Sequence, residues 1–352
     1  HYICCIIDVG IIGVKKYTLS VDPIGNGSVN ISPNDTIFDA GSEVTMTAKG
    51  DDQWIFSYWL GVDNIDANPL TITMDRDYNI SAVFQDNSDS VEIKIDTPEG
   101  FATVNALGQN GTYGGEGGDT VHITSGEQLF ALLDGRRDSR FDKNNPPLIL
   151  LIEGTITWTE KEMMDVKETY DLTFLGKGTT AQIVGFGFNV FRSHNIIIRN
   201  IEFRDAPDDT VNITNELSHH IWVDHCTFSD YPAIDLSGND HDGLLDIKDG
   251  ASYVTVSWNH FMNHHKSCLI GHSDNNGSTD IGRLKVTYMF NWFENTISRH
   301  PRVRFGEVHI LNNYYENTKN QMLYGIASTM GAKVVVEGNY FLSLPFPTHS
   351  GY

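Results

Sequence analysis

The sequence predicts an all-β protein in which a small N-terminal all-β module precedes a right-handed parallel β-helix. Two observations carry this prediction. A strand unit of variable period recurs from about residue 148 onward, and six short β-rich segments separated by turn signals fill residues 17–85. Hydrophobic residues make up 40% of the 352 residues, which suffices for a sizeable core. No run reaches the roughly 18 apolar residues that a membrane span needs, so we expect none.

Composition divides the chain into four parts. We expect residues 1–16 to be a leader remnant or a tail and residues 17–85 to be a small all-β repeat module. Residues 86–97 are expected to form a linker, because they begin with a polar stretch, and residues 98–352 to form the β-helix.

The module at 17–85 resembles the small repeat modules that bacteria append to secreted and surface enzymes. Its strands alternate or are β-branched, and turns rich in Pro, Gly and Asn separate them. Trp54 and Trp59 are either a sugar-binding platform or part of the core of the module, and we favour the core.

The repeated unit of the second part consists of three or four β-residues, then Asn or His, then an aromatic residue. The aromatic anchors lie 25, 33, 32, 22 and 26 residues apart. They are Phe203, Phe228, Phe261, Phe293, Tyr315 and Phe341. A variable period with one fixed register is typical of a coiled parallel solenoid, whose like residues stack in aromatic and amide ladders. We expect His225 to stand in the amide ladder and a helix at 126–133 to cap an open end.

Charge restricts the possible partners. Lys and Arg number 24 and Asp and Glu number 46, which gives a net charge of −22. A basic face is needed to bind phosphates, so nucleic acid is not an expected partner. An acidic chain can still bind an anionic substrate where a cation or a local basic cluster reverses the field.

Histidine and cysteine predict neither a zinc site nor a disulfide framework. The histidines His264, His265, His272 and His300 match no zinc spacing. Of the four cysteines, Cys4 and Cys5 are adjacent, while Cys226 and Cys268 stand in apolar strands. We therefore expect buried free thiols, which leave the redox compartment open.

Two acidic clusters lie in the insertions between strands. Asp208 and Asp209 open one strand, and Asp242 and Asp246 lie four residues apart in another segment. Residues i and i+4 of a strand share a face, so Asp242 and Asp246 are expected to converge on one ion. Hard oxygen ligands of this kind suit Ca²⁺. Aspartates beside glycine also form turns, but the convergence of several clusters favours a calcium site.

A basic cluster interrupts the acidic chain. Lys266 is followed by three arginines within six residues, Arg299, Arg302 and Arg304. In a strand Arg302 and Arg304 share a face, whereas Pro301 breaks the register and lets Arg299 point independently. A solvated sheet edge is the alternative reading, but it does not explain why the cations lie on rungs next to the aspartates.

Five segments, in this order, resemble the polysaccharide lyase family 1 pectate lyases. They are GGEGG at 114–118, WVDHCTF, DGLLDIKDGASYVTVSWNHF, HHKSCLIGHSD and SRHPRVRFGEVHILNNYY. The resemblance covers roughly residues 98–352. It implies a pectate lyase-like β-helix, dependence on Ca²⁺, and β-elimination on α-1,4-polygalacturonate that gives 4,5-unsaturated oligogalacturonates. Family members run on beyond the rung that ends at Phe341, so we expect the C-terminal turn and cap to be missing or replaced.

The resemblance, matched position by position, implies roles for individual residues. The implied calcium ligands are Asp209, Asp242 and Asp246, and the implied catalytic base is Arg299. The implied substrate-binding cations are Lys266, Arg304 and Lys248. Asp224 is implied to be a scaffold carboxylate near the site.

The implied chemistry fits these residue types, with one demand on Arg299. A bridging Ca²⁺ would withdraw charge from the uronate carboxylate, and Lys266 and Arg304 would neutralise an enolate-like transition state. Arginine is normally protonated, so its use as a base implies desolvation, neighbouring cations or alkaline working conditions.

Two other functions compete with this one. A pectin lyase acting on methyl-esterified pectin would not need calcium, and the intact acidic positions favour pectate. A non-catalytic β-helix adhesin or carbohydrate-binding protein needs the ladders but not Lys266 and Arg299 in register. We therefore expect a monomeric enzyme that is secreted and is either free or associated with the cell surface. Its expected partner is polygalacturonate or pectin.

Overall fold

The computed structural model describes residues 14–51, 53–62, 64–86, 96–141, 145–230 and 241–351. The chain divides into two compact units, residues 1–84 and 85–352. Most of the expected leader or tail, with Cys4 and Cys5, and most of the expected linker lie outside the described residues, so both stay predictions. Within the described ranges, no helix has the length and apolar character needed to cross a membrane.

The first unit is built of two small sheets that enclose an apolar core. In spatial order, the four-stranded sheet consists of Ile37–Asp39, Lys16–Ile24, Tyr78–Asp86 and Trp54–Leu60, and the three-stranded sheet of Gly27–Ser32, Glu43–Gly50 and Leu70–Thr73. Trp59 is fully buried in the core, and its indole N–H donates to the Ala67 carbonyl at 2.7 Å. Trp54 is half-buried and packs against the same core. The core reading of these two tryptophans is therefore confirmed.

The second unit coils into three parallel sheets, here named A, B and C, which confirms the predicted parallel β-helix. Sheet A consists of Asp119–Ile123, Leu148–Ile152, Tyr170–Gly176, His194–Arg199, His219–Asp224, Ser252–Ser257, Lys285–Met289, Glu307–Leu311 and Lys333–Glu337. Sheet B consists of Thr155–Thr157, Gln182–Val184, Glu202–Arg204, Thr227–Ser229, His260–Met262, Trp292–Glu294, Tyr314–Glu316 and Tyr340–Leu342. Sheet C consists of Met163–Lys167, Gly187–Phe191, Val211–Thr214, Leu245–Lys248, Cys268–Ile270, Arg302–Arg304, Ile326–Thr329 and Thr348–Ser350.

The aromatic anchors stack inside the coil, as the repeat predicts. Each is the middle residue of a sheet B strand, and neighbouring rings from Phe203 to Phe341 lie 4.5 to 5.3 Å apart between centroids. The same register repeats in every rung because a parallel pair brings like positions together. Packing of identical rings then fixes the rungs relative to one another.

The amide ladder runs along the corner between sheets A and B. The Asn259, Asn291 and Asn313 side chains each accept hydrogen bonds from the rung before them, at 2.9 to 3.1 Å. The expectation that His225 belongs to this ladder is wrong. The ladder position on that rung is held by Cys226, and His225 turns outward to stack on Trp258 with ring centroids 5.9 Å apart. Cys226 and Cys268 are buried free thiols, as expected.

Two segments cover parts of the coil. The helix Gly126–Arg136 begins at Ser125, whose hydroxyl accepts from the Gln128 N–H, and buries Leu129, Leu132 and Leu133. It contacts the first strands of sheets A and C, which agrees with the expected cap.

The 3₁₀ helix Gly100–Thr103 lies across sheet A, and a further helical turn spans Gly277–Asp280. A short hairpin pairs Asn105–Ala106 with Gln109–Asn110.

Close packing of two backbone segments explains a glycine in the segment 114–118. A Cβ built on Gly115 would lie 2.1 Å from the backbone oxygen of Leu148 in sheet A. Such an overlap requires glycine, because only a residue without a side chain lets two backbones approach so closely.

Candidate active site

The sequence-predicted site residues come together on the outer side of sheet C. Asp246 and Lys248 lie in one strand, facing outward, while Ile247 between them is fully buried. In the ladder, Asp246 pairs with Leu269, and Leu269 pairs with Arg302. Asp209, Asp242, Lys266 and Arg299 each precede one of four consecutive strands of this sheet. The chain enters all four strands from the same side of the sheet, here called the entry side. These separated segments therefore form one cluster at that side.

Three carboxylates converge at this entry side. Oxygen atoms of Asp208, Asp209 and Asp242 all lie within 4.8 Å of one another. The strand argument for Asp242 is wrong, because the strand begins at Leu245 and Asp242 lies in the loop before it. Asp242 still reaches the cluster through that loop. Asp208 belongs to the first acidic cluster of the sequence analysis, although the match to the family did not include it among the implied calcium ligands.

Asp246 is not one of these three converging carboxylates, but it adjoins Asp209 beside Gly243 and gives a test of whether an ion would fit. Its carboxylate is buried, and the Oδ1 atom has no hydrogen-bond partner among the described residues. A Cβ built on Gly243 would lie 2.4 Å from that oxygen and 3.0 Å from Asp209 Oδ1. An all-oxygen donor set with an unsatisfied buried oxygen fits a hard cation such as Ca²⁺.

The acidic pair Asp209 and Asp246 shares one lysine. The Lys248 ammonium donates to Asp209 Oδ2 at 2.8 Å and lies 4.0 Å from Asp246 Oδ2. Burial raises the pKa of both carboxyls, and the charge of Asp209 raises that of Asp246 further. Burial acts to lower the pKa of Lys248, but the two carboxylates outweigh it and raise that pKa. Lys248 therefore stays a cation between the two carboxylates.

The basic side chains lie next to the carboxylates. The Lys266 ammonium donates to Asp242 Oδ1 at 2.8 Å. Burial acts to raise the pKa of Asp242, but the hydrogen bond and charge of Lys266, with the charge of Arg299, lower it. Arg304 donates to Asp274 Oδ1 at 2.5 Å and to the Gly271 carbonyl at 3.0 Å. Arg302 and Arg304 share the outward face, as predicted, because the buried Val303 lies between them.

Arg299 has a distinct backbone position. Its φ of +65° lies in the left-handed region, and its carbonyl accepts from the Cys268 N–H at 2.7 Å. Among the ion pairs of the described residues, none includes Arg299. The next residue, His300, is fully buried and donates from Nδ1 to the Tyr324 carbonyl at 2.8 Å. This anchor holds the backbone of Arg299 at the edge of the site.

Asp230, His241 and His264 form a group of polar contacts that reaches the Lys266 backbone. The sequence analysis did not predict this group. Asp230 Oδ1 lies 2.5 Å from His241 Nδ1, and its Oδ2 lies 3.3 Å from His264 Nε2. His264 Nδ1 accepts from the Lys266 backbone N–H at 3.0 Å, so its proton resides on Nε2 and points at Asp230. Burial lowers the pKa of His264 to about 3, which keeps the ring neutral. The residues flanking the long insertion after Asp230 gave no motif that predicts this contact.

Asp224 has the contacts of a scaffold residue. It ends a strand of sheet A, and its carboxylate accepts from Ser257 at 2.6 Å and pairs with Arg199 at 3.2 Å. None of its contacts among the described residues is with a candidate site residue.

Comparison with known proteins follows the division of the chain. Residues 158–344 match the pectate lyase family, and residues 17–88 match the divergent InlB B-repeat domain. A pectate trisaccharide-lyase from Bacillus licheniformis is 38% identical over 259 residues, which cover 72% of this chain and 70% of that protein. A pectate trisaccharide-lyase from Thermotoga maritima is also 38% identical over 259 residues, covering 70% and 61%.

Solved structures agree with the sequence comparison. The crystal structure of a pectate lyase from a Bacillus species in complex with trigalacturonate superposes with a TM-score of 0.60. It is 31% identical, and the match covers 72% of this chain and 86% of that one. The family resemblance and the fold class inferred from the sequence are therefore confirmed. The chain belongs to the pectate lyase family of polysaccharide lyases, with a divergent InlB B-repeat domain ahead of its β-helix.

Proposed function

We propose that the chain is a calcium-dependent pectate lyase that cleaves α-1,4-polygalacturonate by β-elimination, with Arg299 as the base. One observation carries this proposal: the Lys266 ammonium donates to Asp242 within a cluster of carboxylates, and the charge of Arg299 acts on the same carboxyl. Arg304 lies on the outward face of the same sheet. A polyanionic substrate needs cations at its carboxylates, and in a chain of net charge −22 this face concentrates them. The relatives named pectate trisaccharide-lyase support the same substrate class.

The metal would be held by carboxylate oxygens. Asp209, Asp242 and Asp246 would bind Ca²⁺, and Asp208 would join them because its oxygen lies within 4.8 Å of those of Asp209 and Asp242. When bound, Ca²⁺ would withdraw charge from the carboxylate of the uronate and so acidify its C5–H.

The protein side chains would do the remaining work. Lys266, Arg304 and Lys248 would bind and orient substrate carboxylates and stabilise the negative charge that develops there. Arg299 would take the proton from C5. The C5–H electron pair then forms the C4=C5 double bond, the C4–O glycosidic bond breaks, and the leaving oxygen is protonated from solvent.

Arginine can act as a base only if its neutral form is accessible. The neutral form of arginine becomes more abundant as pH rises, so we expect activity to rise toward alkaline pH.

The proposal is tested by the ultraviolet absorbance of the unsaturated product. Polygalacturonate is incubated with the full chain, first with excess chelator and then after Ca²⁺ is restored. Activity that is lost and regained supports the proposal. Full activity in chelator would contradict the calcium site, and absence of absorbance at any calcium concentration would favour a non-catalytic carbohydrate-binding protein. Faster cleavage of fully esterified pectin, independent of calcium, would favour a pectin lyase.

The setting of the enzyme follows from its substrate and its first domain. Polygalacturonate is too large to enter a cell, so we propose an extracellular enzyme. If its repeat domain has a binding partner on the cell surface, that partner attaches the enzyme there. We also propose that it acts as a monomer.

A further inference from the structure

A short ladder of polar side chains leads along the outward face of sheet C to Asp246. Asp165, Asn189, Asn212 and Asp246 hold paired positions on four consecutive strands of the sheet. Nδ2 of Asn189 donates to Asp165 Oδ1 at 2.8 Å, and Nδ2 of Asn212 donates to Asn189 Oδ1 at 3.1 Å. Side chains at paired positions of parallel strands point to the same face, so the ladder ends against Asp246.

The first residue of the ladder sets the direction of both hydrogen bonds. A carboxylate only accepts hydrogen bonds, so Asn189 has to turn its NH₂ group toward Asp165. Its carbonyl oxygen is then left for Asn212, which has to give its own NH₂ group in return. The atom of the Asn212 amide that remains for the next strand, where Asp246 stands, is therefore the oxygen Oδ1.

This oxygen is a buried acceptor without a donor. Asn212 is only 9% exposed, and its Oδ1 has no hydrogen-bond partner among the described residues. The same holds for Oδ1 of Asp246 at the paired position on the next strand. Two acceptors cannot bond to each other, and a buried acceptor without a partner costs free energy. An electropositive group bound by both oxygens would remove this cost.

The surroundings of the two oxygens favour a cation as that group. Asp246 adjoins Asp209 beside Gly243, and Asp209 belongs to the carboxylate cluster proposed to bind Ca²⁺. Both Asn212 and Asp246 are buried, so an ion reaches them more readily than a sugar hydroxyl does. Ca²⁺ takes about six to eight oxygen ligands in proteins, and the side-chain carbonyl of Asn is one of the usual ones.

We infer that Asn212 Oδ1 is a further ligand of the Ca²⁺ ion. This inference rests on the proposed function and adds to its metal site an uncharged ligand that the carboxylate motifs do not reveal. A neutral oxygen strengthens the binding of the ion without adding to the mutual repulsion of Asp209 and Asp246.

Calorimetric titration of the full chain with CaCl₂, in the absence of substrate, tests the inference without relying on activity. Asn212→Leu removes the oxygen and keeps a side chain of similar shape, and we expect its Kd for Ca²⁺ to rise about tenfold or more. Asn212→Asp restores an oxygen and should bind Ca²⁺ at least as tightly as the unchanged chain. Circular dichroism in chelator establishes that both variants are folded.

Thr214→Val is the matched control. Thr214 is as buried as Asn212 and lies two residues further on the same face of the same strand, but its hydroxyl donates to Asp249 at 2.7 Å. Its Kd for Ca²⁺ should equal that of the unchanged chain. Asp165→Asn should leave the Kd unchanged as well, because an amide oxygen at that position still accepts from Asn189.

A second measurement counts the ligands of the ion. The luminescence decay of Eu³⁺ bound in place of Ca²⁺, compared in H₂O and D₂O, gives the number of water molecules on the metal. Asn212→Leu should gain about one water, because solvent replaces the lost oxygen, and Thr214→Val should gain none.

The outcomes separate the inference from the function on which it rests. An unchanged Kd and water count in Asn212→Leu would overturn the inference and leave the calcium site and the lyase activity in place. Binding in Asn212→Asp as weak as in Asn212→Leu would also overturn it, because the oxygen would then not be what matters. If the unchanged chain neither binds Ca²⁺ nor cleaves polygalacturonate, the proposed function is itself wrong.

Discussion

The Lys266 ammonium donates to the Asp242 carboxylate across 2.8 Å, and this contact joins the basic and acidic clusters of sheet C. The two residues lie 24 positions apart on consecutive rungs, so the contact exists only in the coiled chain. A carboxylate of the substrate that approaches Lys266 competes with Asp242 for its ammonium. A cation bound at Asp242 would lessen that competition, and substrate and metal are therefore expected to bind cooperatively.

Removal of a carboxylate from the cluster should abolish the response to calcium. Asp242→Asn and Asp246→Asn are expected to lower activity at a fixed Ca²⁺ concentration by about 100-fold or more, since loss of mere supporting partners already costs 10–100-fold. A calcium titration of product absorbance measures the effect. Asp165→Asn is the control, because Asp165 faces outward on the same sheet three strands away. A calcium response retained in both site variants would contradict the ligand assignment.

Replacement of Arg299 should separate proton abstraction from binding. In Arg299→Lys the charge remains but the base is changed, so kcat should fall about 10²–10⁴-fold while KM changes little. Steady-state kinetics on polygalacturonate measure both constants. Arg283→Lys, in an exposed ion pair with Glu216, should leave them unchanged. A raised KM with unaltered kcat would make Arg299 a binding residue instead.

The sequence predicts the coil better than it predicts the site. Stacking requires like residues at like positions, so the spacing of aromatic residues such as Phe228 and Phe261 directly reports the rungs. Loop residues have no such periodicity. The loop position of Asp242 and the contact between Asp230 and His264 depend on how insertions fold back, which no local pattern encodes. His225 was misassigned because on its rung the ladder amide is replaced by Cys226.

Acid should destabilise the β-helix through a row of buried histidines. The His219 ring stacks on His194 with centroids 5.0 Å apart, and its Nδ1 lies 2.8 Å from that of His220. Burial, with the charges that His194 and His220 would carry, lowers the pKa of His219 to about 3. The unfolded chain keeps the usual value near 6.5, so between pH 6.5 and 3 only the unfolded state binds this proton.

The sign of that difference sets the expected result. The contribution of His219 to stability is complete above about pH 6.5 and is lost as pH falls to about 3, at about 1.4 kcal/mol per pH unit. Urea unfolding at several pH values measures this slope. His219→Asn should flatten it, whereas His309→Asn, at a more exposed position paired with Glu337, should not. Equal slopes in all three proteins would contradict the prediction.

The interior aromatic stack should supply much of the stability of the coil. Phe261 is fully buried between Phe228 and Phe293, at 5.0 and 4.9 Å. Phe261→Ala leaves a cavity in a rigid stack and is expected to lower the free energy of unfolding by about 3–5 kcal/mol. Phe130→Ala should cost far less, because Phe130 is 39% exposed. Denaturant unfolding compares the two variants, and similar losses in both would refute a special role for the stack.

The repeat domain should be dispensable for the chemistry. Its residues 17–85 have their own core around Trp59, and none of the proposed calcium, base or substrate positions lies in it. A shortened chain beginning near residue 91 is therefore expected to cleave soluble polygalacturonate at about the rate of the full chain. It should lose activity on insoluble cell-wall material if the domain binds there, because tethering raises the effective concentration of enzyme at its substrate. Initial rates on the two substrates measure this, with circular dichroism to establish that the β-helix is folded. A large loss of turnover on the soluble polymer by a folded, shortened chain would mean that the repeat domain contributes to the cleft, and its description as an appendage would have to be abandoned.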